Sequence, residues 1–189
     1  MNTYVSILRG INVGGRRRIK MNELKQLYSS IRLLNIDTYI QSGNVVFNTE
    51  KNEDCKELAN QIENAILDSF GFEVPVIIRT LSEIEQTVAN NPFTKENNIE
   101  NLHLTFLNDY PESEKLAAIE NSDFSPDLFN AVDKDVFILC NGKYSDSKLS
   151  NTFFENKLRV PATTRNWKTV MQLYEMAKAS NNKNLIIKP

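Results

Sequence analysis

The sequence has few of the residues on which many hydrolases and metalloenzymes depend. Its 189 residues include one histidine and two cysteines, and Cys55 and Cys140 are far apart in the chain. One histidine and two distant cysteines cannot provide a set of zinc ligands at the usual spacing. Any Ser-His-Asp triad would have to use His103. His103 lies in the alternating segment LHLTFL (102–107), which is more typical of a surface or half-buried strand histidine than of a catalytic base. We therefore predict no metal site and no cofactor, and we assign no catalytic residue.

Long apolar segments and a strong excess of one charge are also missing. The longest apolar run is VFILC (136–140), whereas a membrane-spanning helix needs about 20 residues. The N-terminus does not have the pattern of a signal peptide, and two widely spaced cysteines favour reduced thiols. The net charge of −2 is not that of a dedicated nucleic-acid-binding protein, so such a role would need a local basic patch. We expect a cytoplasmic protein with no membrane partner.

Two similar successions of strand and helix patterns fill the chain. Strand-like segments are 4–8, 38–40, 45–47 and 74–80 in the first half and 102–107, 128–132, 136–140 and 161–165 in the second. Apolar residues at three- and four-residue spacing predict helices within 21–34, 58–70, 82–90, 111–119, 149–158 and 167–174. The order β-α-β-β-α-β therefore occurs twice, which predicts an α+β protein made of duplicated ferredoxin-like halves with antiparallel sheets.

A local repeat supports the duplication. VPVIIRTLSEI (74–84) and VPATTRNWKTV (160–170) align without a gap and share valine, proline and arginine. We predict a first half at 1–88 and a second at 89–189, packed against the first because no low-complexity linker separates them. At the start of the third predicted helix, Ser82 and Glu85 have the spacing of a capping box.

The strongest candidate for a binding site is the glycine- and arginine-rich loop after the first strand. Glycines permit close approach of a ligand to the backbone, and Arg16, Arg17, Arg18 and Lys20 would add positive charge before a helix start. In the ferredoxin-like strand order, the turn between the second and third strands lies at the same end of the sheet. The predicted ligand-binding residues of the first half are Arg9, Gly10, Asn12, Gly14, Gly15, Gln41, Ser42 and Asn44, with Gly43 giving access to the backbone. A solvated loop with a glycine turn is the competing interpretation.

A second polar cluster, ATTRNW (162–167), precedes the last predicted helix. Compared with the first half, Thr163 and Thr164 replace Ile77 and Ile78, and a buried hydroxyl needs a partner. The cluster could contribute a base-stacking Trp167 if that ring is exposed, or it could serve the fold through capping, ion pairing and core packing. The predicted ligand-binding residues of the second half are Thr163, Thr164, Arg165, Asn166 and Trp167.

Several of these stretches resemble a known bacterial family. The segments LRGINVGG (8–15), YIQSGNVVF (39–47), NNPF (90–93) and ATTRNW (162–167) are similar to signature motifs of the family catalogued as domain of unknown function 1697. The similarity runs from about Tyr4 to Tyr174, although the triple arginine is less clearly part of it. It implies a duplicated ferredoxin-like fold and no established activity, substrate or cofactor.

Three functions remain open at this point. The first is a binding protein for a phosphate-bearing ligand, either a phosphorylated small molecule such as a nucleotide or a short nucleic acid. The second is a structural or interaction module whose motifs are turns, caps and polar networks. The third is an enzyme acting on a small phosphorylated or carboxylate metabolite, for which the sequence offers no identifiable proton-transfer group. The oligomeric state is not predicted.

Overall fold

The computed structural model describes residues 1–93 and 99–186, and these form two compact units. Unit 1 consists of Met1–Gln86 together with residues 172–186, and unit 2 consists of Thr87–Met171. The predicted division at residue 88 is close to this boundary, and residues 172–186 group with unit 1. Residues 94–98, near the predicted boundary, lie outside the described part of the chain. That the two halves pack together stays a prediction.

Each unit contains a four-stranded antiparallel sheet. In unit 1 the strands are β1 (Asn2–Leu8), β2 (Leu34–Tyr39), β3 (Asn44–Thr49) and β4 (Val76–Thr80), in the order β2-β3-β1-β4. In unit 2 they are β5 (Leu102–Leu107), β6 (Leu128–Val132), β7 (Asp135–Leu139) and β8 (Ala162–Asn166), in the equivalent order β6-β7-β5-β8. The predicted α+β fold with duplicated ferredoxin-like halves is confirmed.

Six α-helices accompany the sheets in the described part of the chain. They are α1 (Met21–Ser30), α2 (Cys55–Phe70), α3 (Leu81–Ala89), α4 (Ser113–Glu120), α5 (Asn151–Leu158) and α6 (Trp167–Ile186). The side chain of Asp54 caps α2 by accepting from the N–H groups of Lys56 and Glu57, and Gly71 ends that helix at φ +75°. Among the described residues, no helix is both long and apolar enough to cross a membrane.

Strand register shows that the two units repeat each other residue by residue. Leu8 pairs with Val76 in unit 1, and Leu107 pairs with Ala162 in unit 2. Just beyond these pairs, Arg9 N–H donates to the carbonyl of Pro75 (2.9 Å), and Asn108 N–H donates to that of Pro161 (2.8 Å). The ungapped alignment of 74–84 with 160–170 is therefore also an alignment of strand positions.

One core in each unit lies between the sheet and its helices. In unit 1, alternate strand residues such as Tyr4, Val45 and Phe47 pack against Leu24 and Ile62 of the helices. In unit 2 the corresponding core is formed by Leu107, Val136, Ile138, Phe154 and Leu158. The alternation follows from the two-residue period of strands, which sends every second side chain to the helical face. Cys55 and Cys140 are not joined in a disulfide bond.

Several predicted element boundaries need correction. The first helix ends at Ser30, because Leu34 belongs to β2, and the fourth strand begins at Val76. The capping box of α3 is formed by Thr80 and Glu83: Thr80 N–H donates to Glu83 Oε2 (2.8 Å), and Glu83 N–H donates to Thr80 Oγ1 (3.1 Å). The box predicted at Ser82 and Glu85 was wrong by two residues, because β4 runs directly into the helix.

Candidate functional site

The glycine–arginine loop folds into a small hairpin, residues 12–17, which we call the basic hairpin. Asn12 N–H donates to the carbonyl of Arg17 and Arg16 N–H donates to that of Val13, both at 3.1 Å. Gly14 (φ +58°) and Gly15 (φ +75°) form the centre of this turn. Positive φ at both central positions is the requirement of a type I′ turn, which explains why two adjacent glycines occur here.

Asn12 joins the basic hairpin to the β2–β3 turn. Its Nδ2 group donates to the carbonyls of Ile19 (2.9 Å) and Gln41 (2.8 Å), and its Oδ1 atom accepts from Ile19 N–H (2.9 Å). The two polar stretches are therefore neighbours in space, as predicted from the strand order. Both amide protons of Asn12 are used in these bonds, so its side chain holds the two loops together.

The β2–β3 turn fits closely against the end of β1. Gly43 accepts from Leu8 N–H through its carbonyl (2.8 Å), and a Cβ atom on Gly43 would lie 2.6 Å from Leu8 Cβ. Asn44 is buried, and its amide donates to the carbonyl of Tyr39 (3.1 Å) and to Ser42 Oγ (2.9 Å). Gly43 and Asn44 therefore shape the turn, while Ser42 is half-buried and Gln41 is exposed.

A surface cavity of about 750 Å³ lies between the basic hairpin and the start of α1. Two cationic side chains, Arg18 and Lys20, border it, and Lys20 Nζ lies 3.4 Å from a carboxylate oxygen of Glu23. Its lining residues are Asn12, Gly15, Arg18, Ile19, Lys20, Met21, Asn22, Glu23 and Gln41. Three predicted ligand-binding residues, Asn12, Gly15 and Gln41, are thus brought together around one cavity.

The remaining predicted residues of the loop, Arg9, Gly10 and Gly14, are not among those that line the cavity. Arg9 is half-buried, and Gly10 is exposed at φ +70°. The guanidinium of Arg17 lies 3.6 Å from where a Cβ of Gly10 would be, and that of Arg18 lies 3.4 Å from the equivalent position at Gly15. Two of the arginines therefore lie against glycines. A Cβ atom at either position would make ordinary van der Waals contact with the guanidinium group, so the requirement for glycine there comes from the positive φ.

The second predicted cluster, residues 163–167, lies in unit 2. Trp167 is 4% exposed, and its ring centroid lies 6.1 Å from that of Phe137. The exposure that base stacking would require is therefore not met. Asn166 is exposed and caps α6, because its Oδ1 atom accepts from Thr169 N–H (2.8 Å).

Burial also governs the chemistry of Arg165 and Thr163. Arg165 Nη1 donates to Thr163 Oγ1 and to the carbonyl of Thr164, both at 2.9 Å. Burial lowers the pKa of Arg165 to about 10, so it remains a cation at neutral pH. The buried hydroxyl of Thr163 thus has a partner within its own strand.

Thr164 belongs to a polar cluster on the helical face of the second sheet. Its Oγ1 atom lies 2.8 Å from Thr105 Oγ1 and accepts from Tyr144 OH (3.1 Å). The ring of His103 stacks on that of Tyr144, with centroids 4.5 Å apart. Burial lowers the pKa of His103 and raises that of Tyr144, so both rings are neutral at pH 7.

Sequence reasoning missed the participation of Tyr144 and His103 in this cluster. The signal available in the sequence was the length of the connection that contains Tyr144. The β7–α5 connection comprises residues 140–150, whereas the equivalent β3–α2 connection comprises only residues 50–54. Among the described residues, no group of three or more His, Cys, Asp or Glu side chains is placed to hold a metal ion.

Comparison with known proteins agrees with this description. The chain has the fold of the conserved bacterial protein SP0830 from Streptococcus pneumoniae, with a TM-score of 0.72 and 22% identity over 93% of this chain and 98% of that one. No curated protein matches the sequence. A family model described as "Protein of unknown function (DUF1697)" matches residues 1–137, which include the basic hairpin and the β2–β3 turn but not residues 162–167. This chain is a member of the DUF1697 family.

Proposed function

We propose that this protein binds a phosphate-bearing ligand, a nucleotide or a short nucleic acid, in the cavity beside the basic hairpin. Arg18 and Lys20 would provide the positive charge, and the backbone at Gly15 would approach the phosphate closely. The side chain of Asn12 fixes the backbone between Arg18 and Lys20, because it bonds to Ile19 and to Gln41 of the β2–β3 turn. The cavity borders the start of α1, whose backbone dipole also favours an anion.

The observation that carries this proposal is a comparison between the two units. The β1–α1 connection of unit 1 comprises residues 9–20, whereas the equivalent β5–α4 connection of unit 2 needs only residues 108–112. The β2–β3 turn, residues 40–43, is likewise longer than its equivalent, residues 133–134. Because the same topology closes with shorter connections, closure of the chain alone does not require the additional residues at this edge of unit 1, although Ile11 and Ile19 among them belong to the core.

The charges of the two connections differ in the same way. Residues 9–20 contain five basic residues, Arg9, Arg16, Arg17, Arg18 and Lys20, and no acidic residue. Residues 108–112 contain Asp109 and Glu112 and no basic residue. A positive connection that exceeds what the topology requires supports recognition of an anion.

The test is thermal unfolding with added nucleotides, short RNA and short DNA at low and moderate salt. A ligand that binds only the folded state stabilises it by about 2.7 kcal/mol when present at 100 times its Kd. We expect a rise in Tm for wild-type protein that is lost in the Arg18→Gln/Lys20→Gln double variant. The matched control is Arg32→Gln/Lys51→Gln, which removes two exposed charges that border a separate cavity of unit 1.

A second candidate function, a structural or interaction module, is favoured by the bonding of several predicted residues. Asn12, Asn44 and Asn166 bond to backbone groups, Gly14 and Gly15 form a turn, and Trp167 is buried. If no ligand class raises Tm at low salt, this interpretation replaces the binding proposal. The Arg9→Ala variant adds a check, since loss of folding rather than of binding would give Arg9 a structural role.

A further inference from the structure

The positive charge of the basic hairpin extends beyond the cavity that it borders. Arg18 and Lys20 line the cavity, but Arg16 and Arg17 do not, although both are exposed. A single phosphate group in the cavity would leave these two cations unused. Four exposed cations lie between residues 16 and 20, and in the described part of the chain only Lys20 among them is paired with an acidic side chain, that of Glu23. Such a row fits a ligand that carries several phosphates in succession.

Two exposed aliphatic side chains occur in the same two loops. Val13 is 66% exposed at the tip of the hairpin, and Ile40 is 50% exposed in the β2–β3 turn. The residues next to them, Asn12 and Gln41, are joined by a hydrogen bond from Asn12 Nδ2 to the carbonyl of Gln41 (2.8 Å). Ile40 has φ +49°, a conformation that is strained for a β-branched side chain. Strain of this kind concentrates at functional sites.

We propose that the ligand is a single-stranded nucleic acid, an inference that rests on the proposed function. One phosphate occupies the cavity between Arg18 and Lys20, and neighbouring phosphates meet Arg16 and Arg17. Val13 and Ile40 contact sugars and base faces, which are accessible in a single strand and covered by stacking in a duplex. A flat layer of anionic lipid headgroups fits less well, because it cannot enter the concave cavity while also reaching the outer arginines.

The experiment measures binding of a labelled oligodeoxythymidylate of about eight nucleotides, within the range of single-strand site sizes, and of thymidine monophosphate. The logarithm of the association constant should fall linearly with the logarithm of the salt concentration. The expected slope is about −2.8 for four phosphate contacts and about −1.4 for two. We expect the Arg16→Gln/Arg17→Gln variant to show the smaller slope for the oligomer and unchanged binding of the monophosphate.

A second variant separates apolar contact from charge. Val13→Ser should weaken oligomer binding several-fold without changing the salt slope, because it removes no phosphate contact. The Arg32→Gln/Lys51→Gln variant serves again as the control, and it should leave both the slope and the affinity unchanged.

The possible results distinguish this inference from the proposed function. Binding of thymidine monophosphate with no tighter binding of the oligomer would overturn the inference and keep the proposed function. Failure of every nucleotide and nucleic acid to bind would overturn both. Equal binding of a duplex, or preferential binding to phosphatidylserine-containing vesicles over the oligomer, would overturn the single-stranded assignment.

Discussion

Gly43 shows how a single residue can serve the fold directly beside the candidate site. It lies in the same turn as the exposed Gln41 and Ile40, yet it is buried against Leu8 and Ile11. Gly14, at the tip of the basic hairpin, has open space where a Cβ would be. Both glycines have positive φ, so the structural difference between them is the surrounding packing.

Substitution of these two glycines should therefore have unequal effects. Gly43→Ala should lower the free energy of unfolding by roughly 2–4 kcal/mol, because strain at positive φ adds to overpacking. Gly14→Ala should cost about 1–2 kcal/mol, since only the backbone strain remains. Urea denaturation measures both values, and an equal loss in the two variants would contradict the role assigned to packing at Gly43.

The edge strands of the two sheets share a protective feature. In unit 1, a carboxylate of Glu63 in α2 accepts a hydrogen bond from Val76 N–H at the start of β4 (2.7 Å). In unit 2, Glu155 of α5 accepts from Ala162 N–H at the start of β8 (2.9 Å). Val76 and Ala162 are equivalent in register, so the duplication has kept the same contact. Each contact satisfies a backbone donor that has no strand partner at the edge of the sheet.

Removing the acceptor should destabilise the edge of the sheet. Glu63→Ala should lower the free energy of unfolding by about 1–3 kcal/mol, because it leaves a buried N–H without a partner. Glu63→Gln retains an oxygen acceptor and should lose less. Equilibrium denaturation of the two variants checks this expectation, and equal losses would show that the contact with Val76 contributes nothing beyond the side chain's own packing.

Two helices contribute residues to both units. In α3, residues 81–86 belong to unit 1 and residues 87–89 to unit 2, where Thr87 donates to a carboxylate oxygen of Asp135. In α6, residues 167–171 belong to unit 2 and residues 172–186 to unit 1, where Ser180 Oγ donates to Asn48 Oδ1 (2.9 Å). Asn48 lies on the sheet face opposite its neighbour Phe47. The end of α6 thus bonds to the face of the first sheet that α1 and α2 leave open.

This division predicts different effects for two neighbouring residues of α6. Val170 and Leu173 are both fully buried, but they belong to unit 2 and unit 1 respectively. Leu173→Ala, with an expected cost of about 2–5 kcal/mol, should reduce amide hydrogen-exchange protection mainly in β1–β4, and Val170→Ala mainly in β5–β8. Equal loss of protection in both sheets for either variant would mean that the chain opens as one cooperative unit.

Local sequence patterns were sufficient to predict much of the fold and to predict which two loops are neighbours at the candidate site. The strand order brought residues 9–20 next to residues 41–44, and the bond from Asn12 to Gln41 confirms it. The same patterns could not separate anchoring residues from exposed ones. In the sequence, Asn12 and Gln41 are both polar loop residues. In the structure, the side chain of Asn12 is hydrogen-bonded to backbone groups, whereas Gln41 contributes only its carbonyl to these bonds and its side chain is exposed.

The sequence alone determined the duplicated β-α-β-β-α-β order, because strand and helix periodicities and glycine turns are local properties of the chain. Tertiary structure alone decided that Trp167 is buried, that Tyr144 reaches His103 and Thr164, and that residues 172–186 belong to unit 1. Those outcomes depend on contacts between residues far apart in the chain. Burial and hydrogen bonding at such contacts follow from packing, which no local pattern encodes.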